Sequence, residues 1–314
     1  AQPVGQALGI ELDASGRGVL LDKALYDAIP PAARRVWDML APAGRSDLHL
    51  KLRSDMPDQA PGVIDYRLVL HPQDMRMLYS GFPYPFDQVR GEVVITPGRT
   101  ELKGMTAGAG DMSVWLDGLV LSGPDDRVEL AVRAKNVPID ATLREAMPAE
   151  VQTVLKFFQN TGQLDLDLPS LQLAQVPLTT TRPADDGGRP ASPATAPASQ
   201  PAEPLWSLKG GTITLRKARL DLDDAPRELS GKITGSIARR REGLELSAEM
   251  SLDHLTMLQR RLENIHGKLT KQAASPLLRV DSLLASAQGG GRMAGFAEVL
   301  FVEPMQYGLS LYVE

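Results

Sequence analysis

Apolar and polar residues alternate with a period of two along most of this 314-residue chain. Leu48, Leu50 and Leu52, for instance, are separated by His49 and Lys51. Successive side chains of a strand point to opposite faces, so the alternation predicts strands with one apolar face and one wet face. The runs GPDD, TPGR, RRREG and GGGR lie between such segments and are typical of tight reversals. The pattern therefore predicts a mainly β, antiparallel fold.

The alternation assigns nineteen residues to the apolar side of this sheet, and we refer to them as the apolar-face residues. They are Leu48, Leu50, Leu52, Tyr66, Leu68, Leu70, Val93, Ile95, Val114, Leu116, Leu130, Val132, Leu164, Leu166, Leu168, Ile213, Leu215, Leu244 and Leu246. Aromatic residues make up only 5% of the chain, so this face is mainly aliphatic. An aliphatic face suits the acyl chains of lipids as well as it suits a protein core.

Two segments have helical spacing instead of alternation. One follows Pro31 and predicts a helix near residues 31–40, and the other follows Pro148 and predicts a helix near residues 148–158. Their apolar residues, spaced i, i+3, i+4 and i+7, are Ala33, Val36, Trp37 and Leu40 in the first segment and Val151, Val154, Leu155 and Phe158 in the second. Residues 251–269 are predicted as a hairpin that turns near Gln259 and Arg260, although three leucines there also have helical spacing.

The two helical segments belong to a sequence repeat. Residues 21–50 align with residues 139–168 after a shift of 118 positions, with nine identities in thirty, whereas composition alone gives roughly two. The identities are Asp22/Asp140, Leu25/Leu143, Ala28/Ala146, Pro30/Pro148, Val36/Val154, Gly44/Gly162, Asp47/Asp165, Leu48/Leu166 and Leu50/Leu168. A repeat of this kind predicts a sheet built from units that stack on one another.

A shorter motif occurs three times, as VRGEV at 89–93, LSGKI at 229–233 and IHGKL at 265–269. It consists of an apolar residue, any residue, glycine, a charged residue and an apolar residue. Because strand-like alternation follows each copy, the motif is expected to precede a strand.

A Pro-, Ala- and Ser-rich segment interrupts the chain at residues 176–204. It has no large apolar residue after Leu178, so it is predicted to be disordered. Both flanks alternate like strands, which favours an overgrown hairpin loop over a domain linker. The expected organisation is a first repeat segment of the sheet at 1–175, which contains both helices, a loop insertion at 176–204, and a continuation of the same sheet at 205–314.

The succession of glycine motifs and strands resembles that of a known family. Residues 82–123 contain the apolar-x-Gly motif, a strand, a turn, a second strand, a Gly-rich joint and a third strand that ends in glycine, and residues 262–299 repeat this order. In this order the chain resembles the AsmA-like family of bacterial envelope proteins, relatives of the translocation and assembly module subunit TamB. The resemblance covers the chain apart from the Pro/Ala-rich segment and rests on patterns of glycine and apolar residues.

The resemblance implies a long, twisted antiparallel sheet curled into an open groove, built from repeated units with two short interspersed helices. The implied function is phospholipid transport between the inner and outer membranes, as part of outer-membrane biogenesis, with the apolar-face residues as the lipid-groove candidates. The implied partners are phospholipid acyl chains, outer-membrane proteins, and the inner membrane, reached through an anchor missing from this chain. The implied location is the periplasm, and the chain is expected to be a middle segment of a longer protein.

Charge and composition argue against several other functions. The net charge of -5 has the wrong sign for a nucleic-acid partner, and the chain has no cysteine for thiolate catalysis or sulfur-ligated zinc. The four histidines, His49, His71, His254 and His266, lack metal-ligand spacing, and no serine lies in a GxSxG motif. We therefore predict no enzyme activity, no catalytic residue, no metal and no cofactor.

Two other hypotheses remain beside lipid transport. A closed β-sandwich or solenoid would serve as a structural or adhesion spacer in the envelope, because an apolar strand face is equally suited to a sealed core. A carbohydrate-active β-solenoid enzyme would need carboxylates together with basic or aromatic residues on one exposed face. The sequence shows no such cluster, which disfavours the enzyme.

Overall fold

The computed structural model describes residues 9–29, 31–54, 64–80, 82–122, 127–147, 151–152, 155–156, 158–159, 161–174, 205–222, 225–257, 260–287, 290–300 and 306–313. These residues form one antiparallel sheet of fifteen strands and three short helices. The prediction of a mainly β, antiparallel fold is therefore confirmed.

The strands are β1 (Ile10–Leu21), β2 (Ala43–Ser54), β3 (Ile64–Tyr79), β4 (Phe82–Thr96), β5 (Arg99–Ala109), β6 (Met112–Leu121), β7 (Arg127–Pro138), β8 (Gln163–Ala174), β9 (Trp206–Leu222), β10 (Ala225–Arg240), β11 (Gly243–Met257), β12 (Arg260–Lys271), β13 (Leu277–Ala287), β14 (Arg292–Leu300) and β15 (Gln306–Val313). The helices are α1 (Lys23–Ala28), α2 (Pro31–Leu40) and α3 (Ala141–Ala146).

The order of strands in the sheet is the order of strands in the sequence. Every strand pairs with its sequence neighbours, and β1 and β15 are the two edges. Among the described residues these edges do not pair with each other, so the sheet is open. The topology is a long meander, as expected from a chain in which alternating segments are joined by tight reversals.

Two sequence predictions about hairpins are confirmed. Strand β11 pairs antiparallel with β12, and Met257 lies opposite Arg260, as expected for a hairpin in this segment. Strand β8 pairs antiparallel with β9, with Leu173 opposite Trp206, so the flanks of the Pro/Ala-rich segment are neighbours in one sheet. The loop at 176–204 lies outside the described residues, and its disorder stays a prediction.

One predicted helix is confirmed, and the structure contains two further helices that the sequence analysis did not predict. Helix α2 spans the predicted residues 31–40 and packs against β3. Helices α1 and α3 have six residues each, too short to show helical periodicity in the sequence. Of the helix predicted near 148–158, the structure describes five residues, and there the Lys156 N–H donates to the Gln152 carbonyl at 2.9 Å, as in a helical turn.

The sequence repeat is also a structural repeat. Helices α1 and α3 are 118 positions apart, like the aligned sequences. Each begins at an aspartate whose carboxylate accepts from the backbone N–H three residues later, from Leu25 to Asp22 at 3.1 Å and from Leu143 to Asp140 at 2.8 Å. An aspartate at this position caps the otherwise unpaired N–H groups of a first helical turn.

The motif of an apolar residue, any residue, glycine, a charged residue and an apolar residue lies inside strands, which corrects the expectation that it precedes them. Its three copies fall within β4, β10 and β12, at points where the strand register shifts. The first residue of each copy, Val89, Leu229 or Ile265, is at most 3% exposed. At Gly91 (φ +131°) an added Cβ would lie 2.8 Å from the Met105 Cα, so glycine permits the bend and the close approach of β5.

Candidate functional site

The strand register places all nineteen apolar-face residues on the same side of the sheet. Leu50 is opposite Leu68, and Leu68 is opposite Ile95. Farther along, Leu166 is opposite Ile213, and the same side continues through β10 into β11, where Leu246 lies. One apolar surface therefore extends without interruption from β2 to β11.

Most of this surface is only half-buried. Four of the nineteen apolar-face residues, Val93, Ile95, Leu164 and Leu215, are less than 9% exposed. The other fifteen, among them Leu50 of β2, have intermediate exposure. In a sealed core the large aliphatic side chains would be fully buried, so the partial exposure is that of an open sheet face.

Part of the face is covered around β4. Val93, Ile95 and Leu102 are buried there, and Trp37 of α2 packs against the same cluster. Beside this cluster lies a cavity of 40 Å³. It is lined by Met77, Phe86, Val89, Met105, Thr106, Ala107, Val114 and Leu116.

The apolar face extends to an exposed margin at β1. Leu12 lies opposite Leu52, and Ile10 opposite Ser54, so both lie on the same side as the apolar-face residues. Ile10 is 56% exposed and Leu12 is 44% exposed. Ile64, the next residue in this row, is also exposed. The apolar surface is thus accessible from this edge.

Two basic residues lie on the same side of the sheet, next to the apolar-face residues of β11. Lys271 is opposite Leu246, and Arg239 is opposite Leu244. The Lys271 ammonium donates to the Leu244 carbonyl at 2.9 Å. Burial, followed by the nearby positive charge of Arg239, lowers the pKa of Lys271. These two residues form a cationic margin beside the apolar side of the sheet, which continues past them into β12 and β13 with Leu269 and Val280.

The opposite, polar face carries a larger depression of 470 Å³. We call it the polar-face depression. It is lined by Trp115, Asp117, Arg133, Ala134, Lys135, Asp165, Leu166, Asp167, Thr212 and Thr214. These residues come from four adjacent strands, β6 to β9, which the meander places side by side.

Side chains in and beside the polar-face depression form two ion pairs and one cation–π contact. The Arg133 guanidinium lies 3.5 Å from an Asp167 carboxylate oxygen, and Arg216 forms a close ion pair with Asp165. The Lys135 ammonium lies 6.0 Å from the centroid of the Trp115 ring, within cation–π range. Trp115 nevertheless remains 41% exposed.

Sequence reasoning missed this cluster because its members are up to 99 positions apart, from Trp115 to Thr214. Each aspartate, considered alone, is typical of a solvent-facing strand position. One signal was available in β6, where Ser113, Trp115 and Asp117 form the polar side of the alternation. A tryptophan between two polar residues on the same side of a strand departs from the usual pattern of such strands.

Two of the histidines lie beside carboxylates on the sheet surface. His49 lies 2.7 Å from Asp13 and His71 lies 3.9 Å from Glu92, and the two histidine side chains are 43% and 52% exposed. Among the described residues, no group of three or more His, Asp or Glu side chains has the geometry to hold a metal ion. In that same part of the chain, no helix combines the length and the apolarity required to span a bilayer.

Comparison of this chain with protein-family models, with curated proteins and with solved structures gave no match. The functional interpretation therefore depends on the geometry of the two faces of the sheet.

Proposed function

We propose that this chain is a segment of an AsmA-like envelope protein whose apolar sheet face shields the acyl chains of phospholipids. The observation that supports the proposal is the partial exposure of fifteen of the nineteen apolar-face residues in an open sheet. Such a surface leaves apolar area in contact with water, and an apolar ligand removes that area from water.

The dimensions of the face suit transport along the sheet. Strands β2 to β11 are ten neighbours in the sheet order, and strands lie about 4.8 Å apart, so the face extends roughly 43 Å across them. Burial of an acyl chain stabilises the complex by about 0.8 kcal/mol for each CH₂ group. Because the face is apolar over its whole extent, this stabilisation changes little as the lipid moves, and no catalytic residue is required.

The same proposal includes the cellular location and the partners of the protein. The protein would act in the periplasm between the inner and outer membranes, anchored in the inner membrane by a part outside this chain and in contact with outer-membrane proteins. The cationic margin at Arg239 and Lys271 fits the phosphate of a phospholipid whose tails lie on the adjacent apolar face.

A second candidate function is a structural spacer. It is favoured by the close packing around Val93 and Ile95 and by the cavity of only 40 Å³ beside them. A spacer would use the apolar face to hold the sheet together and would bind no lipid.

A matched pair of substitutions in β6 distinguishes the two functions. Val114 and Ser113 are adjacent, half-buried and on opposite faces of the sheet. In V114D the carboxylate stands on the apolar face opposite Ala107 and Ala134, with no cation directly across. Lipid transport predicts that wild type and S113D purify with phospholipid, measured by mass spectrometry of an organic extract, and that V114D is folded by circular dichroism but carries much less.

Several outcomes would contradict the proposal. Wild-type protein that carries no phospholipid, or V114D that retains as much as S113D, would favour the spacer. If V114D fails to fold, a photo-crosslinking residue at Leu68 gives the answer, with the same residue at Ser247 on the polar face as its control. Lipid adducts at Leu68 and not at Ser247 are expected, and equal labelling at both would exclude a selective apolar surface.

A further inference from the structure

We propose that the polar-face depression is a carbohydrate-binding site. It lies on the opposite side of the sheet from the proposed lipid surface, so the two proposals are independent. Its volume of 470 Å³ falls within the range of roughly 300–1,000 Å³ that is usual for small-molecule sites. It is more than ten times larger than the cavity of 40 Å³ on the apolar face.

Trp115 supplies the apolar part of this site. Its neighbours across the strands are Thr106 and Arg133, so the indole stands among polar groups and not against a core. An indole offers a flat apolar surface and one N–H donor. A pyranose ring has a complementary shape, with one side of C–H groups and a rim of hydroxyls. The Lys135 ammonium near the indole restricts the positions that the ring can adopt.

The groups around Trp115 match the hydroxyl rim of a sugar. Asp117, Asp165 and Asp167 are hydrogen-bond acceptors, and the hydroxyls of Thr212 and Thr214 can both donate and accept. Arg133 and Lys135 add donors. Sugar hydroxyls also donate and accept, so they are chemically complementary to these groups.

The charge balance favours a neutral ligand. Three aspartates line the depression together with Arg133 and Lys135, and Arg216 neutralises Asp165 from the side. A phosphate would face three carboxylates, whereas a cationic ligand would compete with Arg133 for Asp167. A neutral polyol faces neither penalty, because it exchanges hydrogen bonds with water for hydrogen bonds with groups that are already ion-paired.

Two of the three carboxylates are held beside cations. Asp167 lies 3.5 Å from Arg133, and Asp165 is paired with Arg216. Each carboxylate has two acceptor oxygens, so both can accept hydrogen bonds from sugar hydroxyls while they remain paired.

The experiment is saturation-transfer difference NMR on the full chain with four soluble probes, namely chitotriose, maltotriose, cellotriose and phosphocholine. We expect saturation transfer to at least one of the three sugars at millimolar concentration. W115A should weaken this binding by about fivefold or more, since aromatic contacts contribute on the order of 1 kcal/mol. F296A is the control, because Phe296 is an exposed aromatic residue on the same face but on β14.

A second variant, T212V, keeps the proposal testable if W115A is unstable, since it removes one hydroxyl from the depression and nearly preserves the volume of the side chain. It should reduce sugar binding and leave the melting temperature within a few degrees of wild type. The proposal is overturned if none of the three sugars binds, if F296A weakens binding as much as W115A does, or if phosphocholine alone binds. None of these outcomes depends on whether the apolar face carries lipid.

Discussion

The backbone N–H of Asn136 on β7 donates a hydrogen bond to a carboxylate oxygen of Asp165 on β8, at 2.9 Å. Asn136 is in the left-handed region (φ +56°), at a bulge where the backbone ladder is interrupted. The carboxylate replaces the carbonyl that an uninterrupted ladder would offer to this N–H. One repeat earlier, Gly18 (φ +57°) donates to Asp47 in the same way at 2.6 Å.

The same kind of hydrogen bond, from a backbone N–H to a side chain of the next strand, occurs elsewhere in the sheet and is therefore not specific to one site. In each case a residue with positive φ donates its N–H to a side-chain oxygen of the next strand. The further pairs are Gly104 with Asp117, Lys217 with Ser230 and Gly210 with Ser236. The bulges bend the strands, and the side-chain acceptors prevent the bends from leaving donors unpaired.

We predict that D47A destabilises the protein by about 1–3 kcal/mol, because the Gly18 N–H, which is partly buried, loses its acceptor. D47N keeps an oxygen at this position and should cost less. Urea denaturation measures both free energies of unfolding. D13A is the control, since Asp13 forms a solvent-exposed pair with His49, and such pairs contribute little to stability. Equal losses in D47A and D13A would show that the bulge does not need its carboxylate.

The second prediction concerns two glycines with positive φ. At Gly162 (φ +96°) an added Cβ would lie 2.7 Å from the Ala218 Cα, whereas at Gly110 (φ +60°) it would meet nothing within 4 Å. G110A should therefore cost only the left-handed strain, roughly 1–2 kcal/mol. G162A adds a backbone clash and should cost a further 1–3 kcal/mol. Thermal denaturation of the two variants tests the difference, and equal melting temperatures would refute it.

The third prediction concerns the cap of α3. D140A removes the acceptor of the Leu143 N–H and should lower the free energy of unfolding by about 1 kcal/mol, whereas D140S should retain most of the stability. Leu143 is only 1% exposed, so water cannot easily replace the lost acceptor. In the equivalent cap of α1 the hydrogen bond is exposed, and D22A should cost less than D140A. The opposite order in chemical denaturation would contradict this explanation.

The fourth prediction concerns the Pro/Ala-rich segment. Replacing residues 179–203 with a short Gly-rich turn should preserve the fold, because β8 and β9 already pair as a hairpin. Circular dichroism and the melting temperature should match those of wild type within a few degrees. A large fall in the melting temperature, or two halves that remain folded separately after proteolysis in this segment, would show that it is a domain linker.

The fifth prediction concerns the ionisation of Glu101 on β5. Hydrogen bonds from Lys103 (2.9 Å) and Arg99 (2.7 Å) lower the pKa of this carboxyl from 4.5 to about 2. The pKa is depressed by folding, so the stabilisation by these pairs is complete above pH 4.5 and is lost as the pH falls toward 2.

Carbon-13 NMR of the Glu101 carboxyl measures the titration directly. K103M removes the stronger of the two hydrogen bonds, so the pKa of Glu101 should rise in this variant. A wild-type midpoint near 4.5, or no change in K103M, would show that the ion pairs do not persist in solution.

The alternation of the sequence was sufficient to predict the sheet and its two faces, because a period of two maps directly onto the geometry of a strand. Leu50, Leu68 and Leu166 therefore lie where the pattern placed them. The repeat alignment likewise identified Asp47 and Asp165 as equivalent. Their role at the bulges did not follow from it, because a hydrogen bond to the next strand depends on a register shift that has no simple sequence signature.

The polar-face depression shows why sites are harder to predict than folds. Trp115 and Asp167 are adjacent to Arg133 only because three consecutive strands pair in one particular register. A shift by one residue would carry Trp115 to the other face. Side-chain constellations on a sheet are therefore a property of the register, which sequence patterns determine only approximately.

The meander also determines how the chain responds to mechanical force. Each strand is held by the strands that immediately precede and follow it in the sequence, so tension applied to the two ends would peel the sheet hairpin by hairpin and would not shear many hydrogen bonds at once. Because strands pair only with their sequence neighbours, most contacts that form during folding are between segments close together in the chain. A hairpin that has formed can then pair with the next strand. Such a sheet can lose and recover its outermost strands while the strands in the middle stay folded.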